Sequence, residues 1–340
     1  MIQTINHDEI VEQNKHIKNR DCVIDNFRGF TIVLLILFFS LNTLRYVPSY
    51  LLHALDGKIL TVMDFIAPGF ILAFVFSYQL GIDKFHNDYK QAIKKYVTRF
   101  FALIGVGTIY SLISNLVMGS TIGFNVFIMI GLSGLITLFF IRVNKYIKLG
   151  IGVFFILLFQ LLQYIPFFLN YVINNDFGGL FGVLSYSGMM LIVMFIGTFY
   201  FEKKSFGFTL LTFIFLSISV ILITINLIMK ISGYFNPILI SSKIRSSLTY
   251  ILITLGINLF IFWVFSKTKK HLPILSWLGV NSLVLYFSCG AFAQLVTLLL
   301  NEFVTLKTGW IFMLISFSLC LGFGIGLSFI LWILKKRITI

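Results

Sequence analysis

The stretch GKILTVMDFIAPGFILAFVFSYQLGI, residues 57–82, decides the fold. Its charged side chains, Lys58 and Asp64, stand near its start, and no charge follows as far as Ile82. The apolar part approaches the roughly 20 residues that a helix needs to cross a hydrocarbon core of about 30 Å. The stretch therefore predicts a membrane-spanning helix over residues 61–82, with polar groups at its mouth.

The composition of the whole chain points the same way. Of 340 residues, 59% are hydrophobic and 11% are charged, and the mean hydropathy is +0.99. Soluble proteins are about half apolar and a quarter charged. A spanning β-barrel would show short segments of alternating polarity in place of long uncharged ones. The composition predicts an all-α, polytopic integral membrane protein whose helices satisfy their own backbone hydrogen bonds.

Charged clusters divide the chain into about ten transmembrane helices. The uncharged stretch between Arg99 and Arg142 is too long for one helix, so we divide it at the turn-like residues 118–123. The first, second, seventh and ninth predicted segments cover residues 27–44, 61–82, 206–229 and 274–300.

The distribution of charge predicts the orientation. The formal net charge of +14 lies mostly in short basic clusters between apolar segments, as in cytoplasmic loops of membrane proteins. This places both termini in the cytoplasm and argues against a nucleic-acid partner. Residues 1–24 are predicted to be a cytoplasmic tail and residues 25–340 a single transmembrane domain. The richness in Phe, Ile and Lys suggests a microbial chain, and hence a multi-pass protein of the plasma membrane.

The cysteines do not indicate a metal centre or a disulfide framework. Cys22, Cys289 and Cys320 are dispersed without metal-ligand spacing, and the last two fall inside apolar segments. We expect free thiols and no metal.

A histidine and an aspartate flank the start of the second segment. His53 has an ordinary pKa of about 6.5, so it can act as a general base or nucleophile near neutral pH. A carboxylate near the end of a membrane helix, such as that of Asp64, is costly there and tends to pair with another polar or charged group. If it accepts a bond from His53, it fixes the tautomer and leaves the other ring nitrogen free to react. The alternatives are a solvated loop histidine and a helix cap made by Thr61 and Asp64.

Three further polar residues are candidates. Asn42 and Asn281 are amides within apolar segments, where either can orient a carbonyl or stabilise an oxyanion. Hydrogen bonding between helices is the alternative for each. Arg28 can bind a phosphate at the cytoplasmic end of the first segment, or pair with Asp25.

The last segment holds a run of glycines at alternate positions. No strand precedes them, so they do not form a nucleotide-binding fingerprint. We expect all three to be helix-packing sites. They are Gly322, Gly324 and Gly326.

Four motifs follow one another along the chain. They are Asp25-x-x-Arg28-Gly29; Asn42 followed by His53, Gly57, Leu60-Thr61, Asp64 and Pro68-Gly69-Phe70; Lys243-x-x-Ser246-Ser247-x-Thr249-Tyr250; and Gly279-x-Asn281-Ser282 followed by Tyr286. Together they resemble the heparan-alpha-glucosaminide N-acetyltransferase branch of the transmembrane acyltransferase superfamily. The chain departs from the family pattern at Ser246, where tryptophan is common.

The resemblance implies a transmembrane acyltransferase that uses acetyl-CoA. Such an enzyme takes an acetyl group from cytoplasmic acetyl-CoA and delivers it to an amine or hydroxyl of a sugar or glycan on the far side. By the resemblance, His53 is the catalytic residue with Asn42 beside it. Lys243 and Asn281 lie near the pocket, and Arg28 lies near the entry of the cofactor.

Two other functional classes stay open at this point. In a proton-coupled transporter, or a carrier of a sugar or lipid-linked substrate, His53 and Asp64 would form a proton relay. In a non-catalytic descendant of the acyltransferase fold, the departures from the motifs would have removed activity. The apolar faces serve the lipid bilayer and a second copy in a homodimer equally well.

Overall fold

The computed structural model consists of helices and the turns between them. It describes residues 21–41, 60–83, 89–118, 124–173, 175–232, 246–268, 270–303 and 310–334. The α-helices, in chain order, are α1 (Cys22–Leu41), α2 (Ile66–Asp83), α3 (Tyr89–Met118), α4 (Val126–Leu138), α5 (Lys145–Leu162), α6 (Pro166–Ile173), α7 (Gly179–Phe201), α8 (Ser205–Ser232), α9 (Leu248–Thr268), α10 (Pro273–Val280), α11 (Ser282–Phe303) and α12 (Trp310–Ile333). Short 3₁₀ turns at Val62–Phe65 and Asp176–Gly178 precede α2 and α7.

The all-α, polytopic class is confirmed. Within the described part of the chain, nine helical segments are long and apolar enough to cross a membrane. The remaining predicted segment corresponds to α4, which has only 13 residues and is too short for a full crossing without tilting or local thinning of the bilayer. The predicted division of the stretch between Arg99 and Arg142 is present, since α3 ends at Met118 and α4 begins at Val126; residues 119–123 of the predicted turn lie outside the described residues.

The predicted ninth segment is wrong as a single helix. It is divided at Asn281, where φ is −102° and ψ is 20°, into the short helix α10 and the longer α11. The first predicted segment also starts too late, because α1 begins at Cys22. The Asp21 carboxylate accepts a bond of 2.9 Å from the Val23 amide and so caps the earlier start.

Helix α7 is the centre of the bundle. Its span is 83% buried, and α2, α4, α5 and α9 all pack against it. A second apolar cluster joins α1 to α10, α11 and α12. Helix α1 takes part in both clusters, with Phe27 in the first and Ile32 in the second. It therefore connects the two halves of the bundle.

Cationic side chains collect at one end of the bundle. Contacts show that the ends of helices distant in sequence meet there: the Tyr200 hydroxyl donates to Asp21 at 2.7 Å, and the Asn26 amide donates to the Lys270 carbonyl at 2.7 Å. The Arg142 guanidinium lies 3.6 Å from the centre of the Tyr89 ring. We call this end the basic face; its cations include Arg142, Lys145, Lys203, Lys204, Lys267 and Lys270.

The glycines of the last helix do not all pack. A Cβ at Gly322 or Gly326 would meet no atom of the described residues within 4 Å, so neither glycine packs against a helix in the part of the chain that the structure describes. At Gly324 it would lie 3.3 Å from the Cys289 sulfur, which is tighter than an ordinary Cβ contact, so this glycine does pack closely against α11. All three cysteines are free; Cys289 and Cys320 are buried as expected, whereas Cys22 at the start of α1 is only half-buried.

Candidate functional site

The first and fourth motifs meet at a junction near the basic face. Helices α1 and α10 approach so closely that a Cβ at Gly29 would lie 1.9 Å from the Leu275 carbonyl oxygen. A Cβ at Gly279 would lie 2.0 Å from the Asp25 carbonyl oxygen. Only glycine fits at these two crossing points, which explains why each motif contains one.

Arg28 ties three helices together at this junction. Its guanidinium donates to the Gly279 carbonyl at 3.5 Å and to the Ser77 hydroxyl of α2. It also lies 3.8 Å from the Asp25 carboxylate. The ion pair with Asp25, which was the alternative to phosphate binding by Arg28, is therefore present. Because Gly279 is in the last turn of α10, its carbonyl lacks a helical partner, and the cation of Arg28 supplies one.

Asn281 occupies the break between α10 and α11. Its Nδ2 donates to the Trp277 carbonyl at 3.3 Å. Its Oδ1 is buried and accepts no hydrogen bond from any residue that the structure describes. An unsatisfied buried acceptor costs free energy, so such an atom requires an explanation. A ligand that brings an N–H or O–H donor to this point would satisfy it.

The second motif forms a helix cap at the opposite end of the bundle. The amide and the hydroxyl of Thr61 both donate to Asp64 Oδ2 at 2.9 Å. The Asp64 amide in turn donates to the Thr61 carbonyl at 3.1 Å. Asp64 is 4% exposed, so this is a buried cap at the start of α2. The helix cap that was the alternative role for Thr61 and Asp64 is thus present in the structure. It uses one oxygen of the Asp64 carboxylate.

The third motif holds this cap in place. Ser247 caps α9 by accepting from the Tyr250 amide at 3.2 Å. The Tyr250 side chain, fully buried, donates its hydroxyl to the Asp64 carbonyl at 3.2 Å. Residues of the third motif therefore position the backbone of the second, although they are 186 residues apart.

Asn258 links the two ends of the site. Its Nδ2 donates to the Phe65 carbonyl at 3.1 Å, directly beyond Asp64. Its Oδ1 would lie 2.8 Å from a Cβ at Gly69, and the Thr31 methyl group would be equally close. Thr31 is one turn from Arg28 and donates to the Arg28 carbonyl at 2.7 Å. The α1–α2–α9 contact thus connects the Asp64 cap with the Arg28 junction.

The backbone is strained beside the cap. Ser246 and Phe177 have φ values of 46° and 56°, a region that non-glycine residues rarely adopt. The Ser246 hydroxyl donates to the Phe177 carbonyl at 2.8 Å, and the Ser185 hydroxyl donates to the Ser246 carbonyl at 3.0 Å. Such conformations persist only where the surroundings fix them, and they concentrate at functional sites.

Glu202 is an acid on the basic face that partly compensates its cations. Glu202 lies 2.7 Å from Lys204 and 3.3 Å from Lys145. The hydrogen bond from Lys204, followed by that from Lys145, lowers the pKa of the Glu202 carboxyl, so the group is ionised at neutral pH. The same contact raises the pKa of the Lys204 amine. The other cations keep this face positive, which suits an anionic ligand such as a phosphate.

The structure describes three of the six predicted site residues. Arg28, Asp64 and Asn281 are placed as above, and Arg28 and Asn281 lie at the same helix junction. Asn42, His53 and Lys243 lie outside the described residues.

Two buried residues of the site escaped the sequence analysis. Asn258 is an amide in an apolar segment. Asn281 was chosen as a candidate for this same property, so Asn258 could have been chosen with it. Tyr186, 1% exposed, gives no such signal, because tyrosine is common in membrane helices. No group of three His, Cys, Asp or Glu side chains among the described residues is arranged to hold a metal.

The fold and the buried polar junctions define a multi-pass membrane protein with an internal site. The family model described as "Heparan-alpha-glucosaminide N-acetyltransferase, catalytic" matches residues 20–211, which is more than half of the chain. The chain belongs to this family, and is thus a member of a membrane transferase family. The match includes the first two motifs, from Asp25 to Phe70. No individual curated protein matches the chain.

Proposed function

We propose that the protein transfers an acetyl group from acetyl-CoA, bound from the basic face, to an amine or hydroxyl of a sugar or glycan on the other side of the membrane. The observation that carries the proposal is the family match over residues 20–211. The glycan class comes from the name of that family. The basic face is assigned to the cytoplasm and the membrane to the plasma membrane.

Acetyl-CoA supplies an activated thioester, and the described residues suit its two chemically distinct parts. Its phosphates match the cations of the basic face, and they cannot enter hydrocarbon cheaply. Its pantetheine arm is uncharged and contains two amide N–H donors. The orphaned Oδ1 of Asn281, buried at the break between α10 and α11, is an acceptor for such a donor. Arg28 fixes this break through the Gly279 carbonyl.

The acceptor amine or hydroxyl must lose a proton as it attacks the thioester, so the reaction needs a general base. We assign this role to His53, with Asn42 beside it. His53 takes the proton from the acceptor amine or hydroxyl while the new bond to the acetyl carbon forms and the bond to sulfur breaks. Asp64, held by Thr61 and Tyr250, is assigned to orient the imidazole through its carboxylate. We assign Lys243, three residues before Ser246, to binding of the acetyl donor, acetyl-CoA.

Binding of the donor is tested with purified protein in detergent. Acetyl-CoA at 100 times its dissociation constant should stabilise the fold by about 2.7 kcal/mol, seen as a raised melting temperature. CoA serves as a product control, and transfer is followed by release of its thiol. If acetyl-CoA causes no shift in folded protein, the acyltransferase assignment fails; uptake driven by a proton gradient would then support the carrier.

The role of Asn281 is tested by Asn281→Leu. Loss of one hydrogen bond of about 0.5–1.5 kcal/mol should weaken acetyl-CoA binding about two- to tenfold, as measured by calorimetry. The matched control is Asn226→Leu in α8, which also removes an amide that donates one turn back, to Leu222 at 2.8 Å. The control should bind acetyl-CoA like the parent. Equal affinity of both variants would remove Asn281 from the donor site.

The two roles of Asp64 are separated by two substitutions. Asp64→Ala removes both bonds from Thr61 and should lower the free energy of unfolding by about 1–3 kcal/mol. Asp64→Asn keeps an oxygen for the cap and removes the charge, so we expect nearly parental stability and about 10²-fold slower transfer. Thermal melts and CoA release measure the two effects. Parental transfer by Asp64→Asn would reduce Asp64 to a cap.

A further inference from the structure

A tight turn joins α7 to α8 at the basic face. Helix α7 ends at Phe201 and α8 begins at Ser205, so three residues separate two apolar helices that are each long enough to cross a membrane. Lys203 in this turn has a φ of 56°, and its amide donates to the Tyr200 carbonyl at 3.2 Å. Three residues span at most about 11 Å. The turn therefore stays close to the membrane, and its side chains lie at the level of the lipid headgroups.

Lysine side chains collect around this turn. Lys203 is exposed, and the Lys204 side chain is 58% exposed. Lys145, at the start of α5, lies 3.3 Å from the Glu202 carboxylate, and its ammonium lies 4.9 Å from the centre of the Phe199 ring. Among the described residues, three lysines thus surround one carboxylate, so the local charge is positive. We call Lys145, Lys203 and Lys204 the lysine corner.

Exposed aromatic rings flank the lysine corner. Phe206, in the first turn of α8, is 80% exposed, and Tyr146, in the first turn of α5, is 63% exposed. Both helices lie on the outside of the bundle, since only 17% of the α8 span and 28% of the α5 span are buried. Aromatic rings beside lysines are typical of the boundary between hydrocarbon and headgroups. There the stem of a lysine lies along apolar surface while its ammonium reaches the polar layer.

The lysine corner lies on a different side of α7 from the junction assigned to the acetyl donor. Phe199 and Tyr200 are adjacent in α7, so their side chains point about 100° apart around the helix axis. The Tyr200 hydroxyl donates to Asp21 at the start of α1, whereas the Phe199 ring contacts Lys145 of α5. The corner is therefore on the α5 side of α7, next to the outer helices that face lipid.

We propose that the lysine corner binds the headgroup of an anionic phospholipid from the leaflet at the basic face. The lipid phosphate contacts the ammonium groups of Lys203 and Lys204, and the glycerol and the upper acyl chain pack against Phe206 and Tyr146. A basic residue near an anionic membrane surface strengthens binding about fivefold. The inference does not depend on the proposed function, because neither an acetyl donor nor an acceptor takes part in it.

The test measures phosphatidylglycerol bound to the detergent-purified protein by native mass spectrometry, with phosphatidylcholine as the neutral reference. The parent should bind phosphatidylglycerol more tightly than phosphatidylcholine. Lys203→Gln combined with Lys204→Gln should weaken phosphatidylglycerol binding about 25-fold, or fivefold for each lysine. The matched control combines Lys90→Gln with Lys94→Gln, two exposed lysines at the start of α3, and changes the net charge equally. It should bind phosphatidylglycerol like the parent.

The control separates a specific headgroup site from a diffuse attraction to positive charge. All four lysines are exposed, so both double variants should melt close to the parental temperature without lipid. Equal loss of phosphatidylglycerol binding in the two double variants overturns the inference. A parent that does not prefer phosphatidylglycerol overturns it as well.

A thermal titration with acetyl-CoA separates the lipid from the donor as the source of the phosphate. Loss of phosphatidylglycerol binding in the Lys203 and Lys204 variant, with stabilisation by acetyl-CoA retained, supports the headgroup site. Loss of both means that the corner belongs to the donor, and the inference fails. If acetyl-CoA does not stabilise even the parent, the proposed function fails, and the phosphatidylglycerol measurement still decides the headgroup site.

Discussion

A His53→Ala variant should bind acetyl-CoA with the parental affinity and transfer the acetyl group about 10⁴-fold more slowly, at the upper end of what a general base contributes. The reason is that the acceptor must lose a proton as it attacks, and imidazole is the side chain best matched to that task at neutral pH. His53 lies outside the described residues; we assign it to the end of the second segment that carries the buried Asp64 cap because it precedes Asp64 by eleven residues.

The measurement is release of the CoA thiol with glucosamine as acceptor, beside calorimetric titration with acetyl-CoA. The control is His271→Ala, which removes an exposed histidine between α9 and α10. That variant should match the parent in both assays. If His53→Ala and His271→Ala transfer at the same rate, the base is another group. A loss of acetyl-CoA binding in His53→Ala alone would move His53 to the donor site.

Gly29→Val should yield no correctly folded protein. The added Cβ would lie 1.9 Å from the Leu275 carbonyl oxygen and 2.6 Å from its carbon. Both atoms belong to the backbone of α10, so no side-chain rotation relieves the clash, and α1 must separate from α10. Separation would also withdraw Arg28 from the Gly279 carbonyl. We expect aggregation on size-exclusion chromatography after extraction in mild detergent.

Gly322→Val is the matched control, since it introduces the same side chain into a helix at a point where a Cβ meets no atom of the described residues within 4 Å. It should elute and melt like the parent, with a change within about 0.5 kcal/mol, as for surface positions. A monodisperse Gly29→Val protein with a parental melting temperature would contradict the close crossing of α1 and α10.

The sequence predicted the class of fold because composition alone determines it. Uncharged stretches long enough to cross a bilayer can satisfy their backbone only as helices. The break at Asn281 was beyond such reasoning, because residues 274–300 carry no charge and glycine, as at Gly279, is common in membrane helices. At the break, the Gly279 carbonyl accepts a hydrogen bond from Arg28, a cation 251 positions away that the sequence of the segment does not reveal.

The site could be predicted only in part, because its polar residues stand out in the sequence whereas their partners in space do not. Asp64 and Asn281 stood out as polar groups in apolar surroundings, and both proved to be buried. The structure adds what the sequence could not give: Tyr250 as the partner of the Asp64 carbonyl, and the lack of any donor among the described residues for the Asn281 Oδ1.

The contact between Arg28 and Gly279 joins residues 251 positions apart. During synthesis, α1 enters the membrane long before α10 exists, and the glycine of the first motif meets its partner only after the ninth predicted segment has been inserted. Contacts between such distant positions form late in folding. The junction of α1 with α10, to which we assign the acetyl donor, is therefore completed near the end of assembly, so a chain that stalls or is truncated before Pro273 lacks the junction beside Asn281.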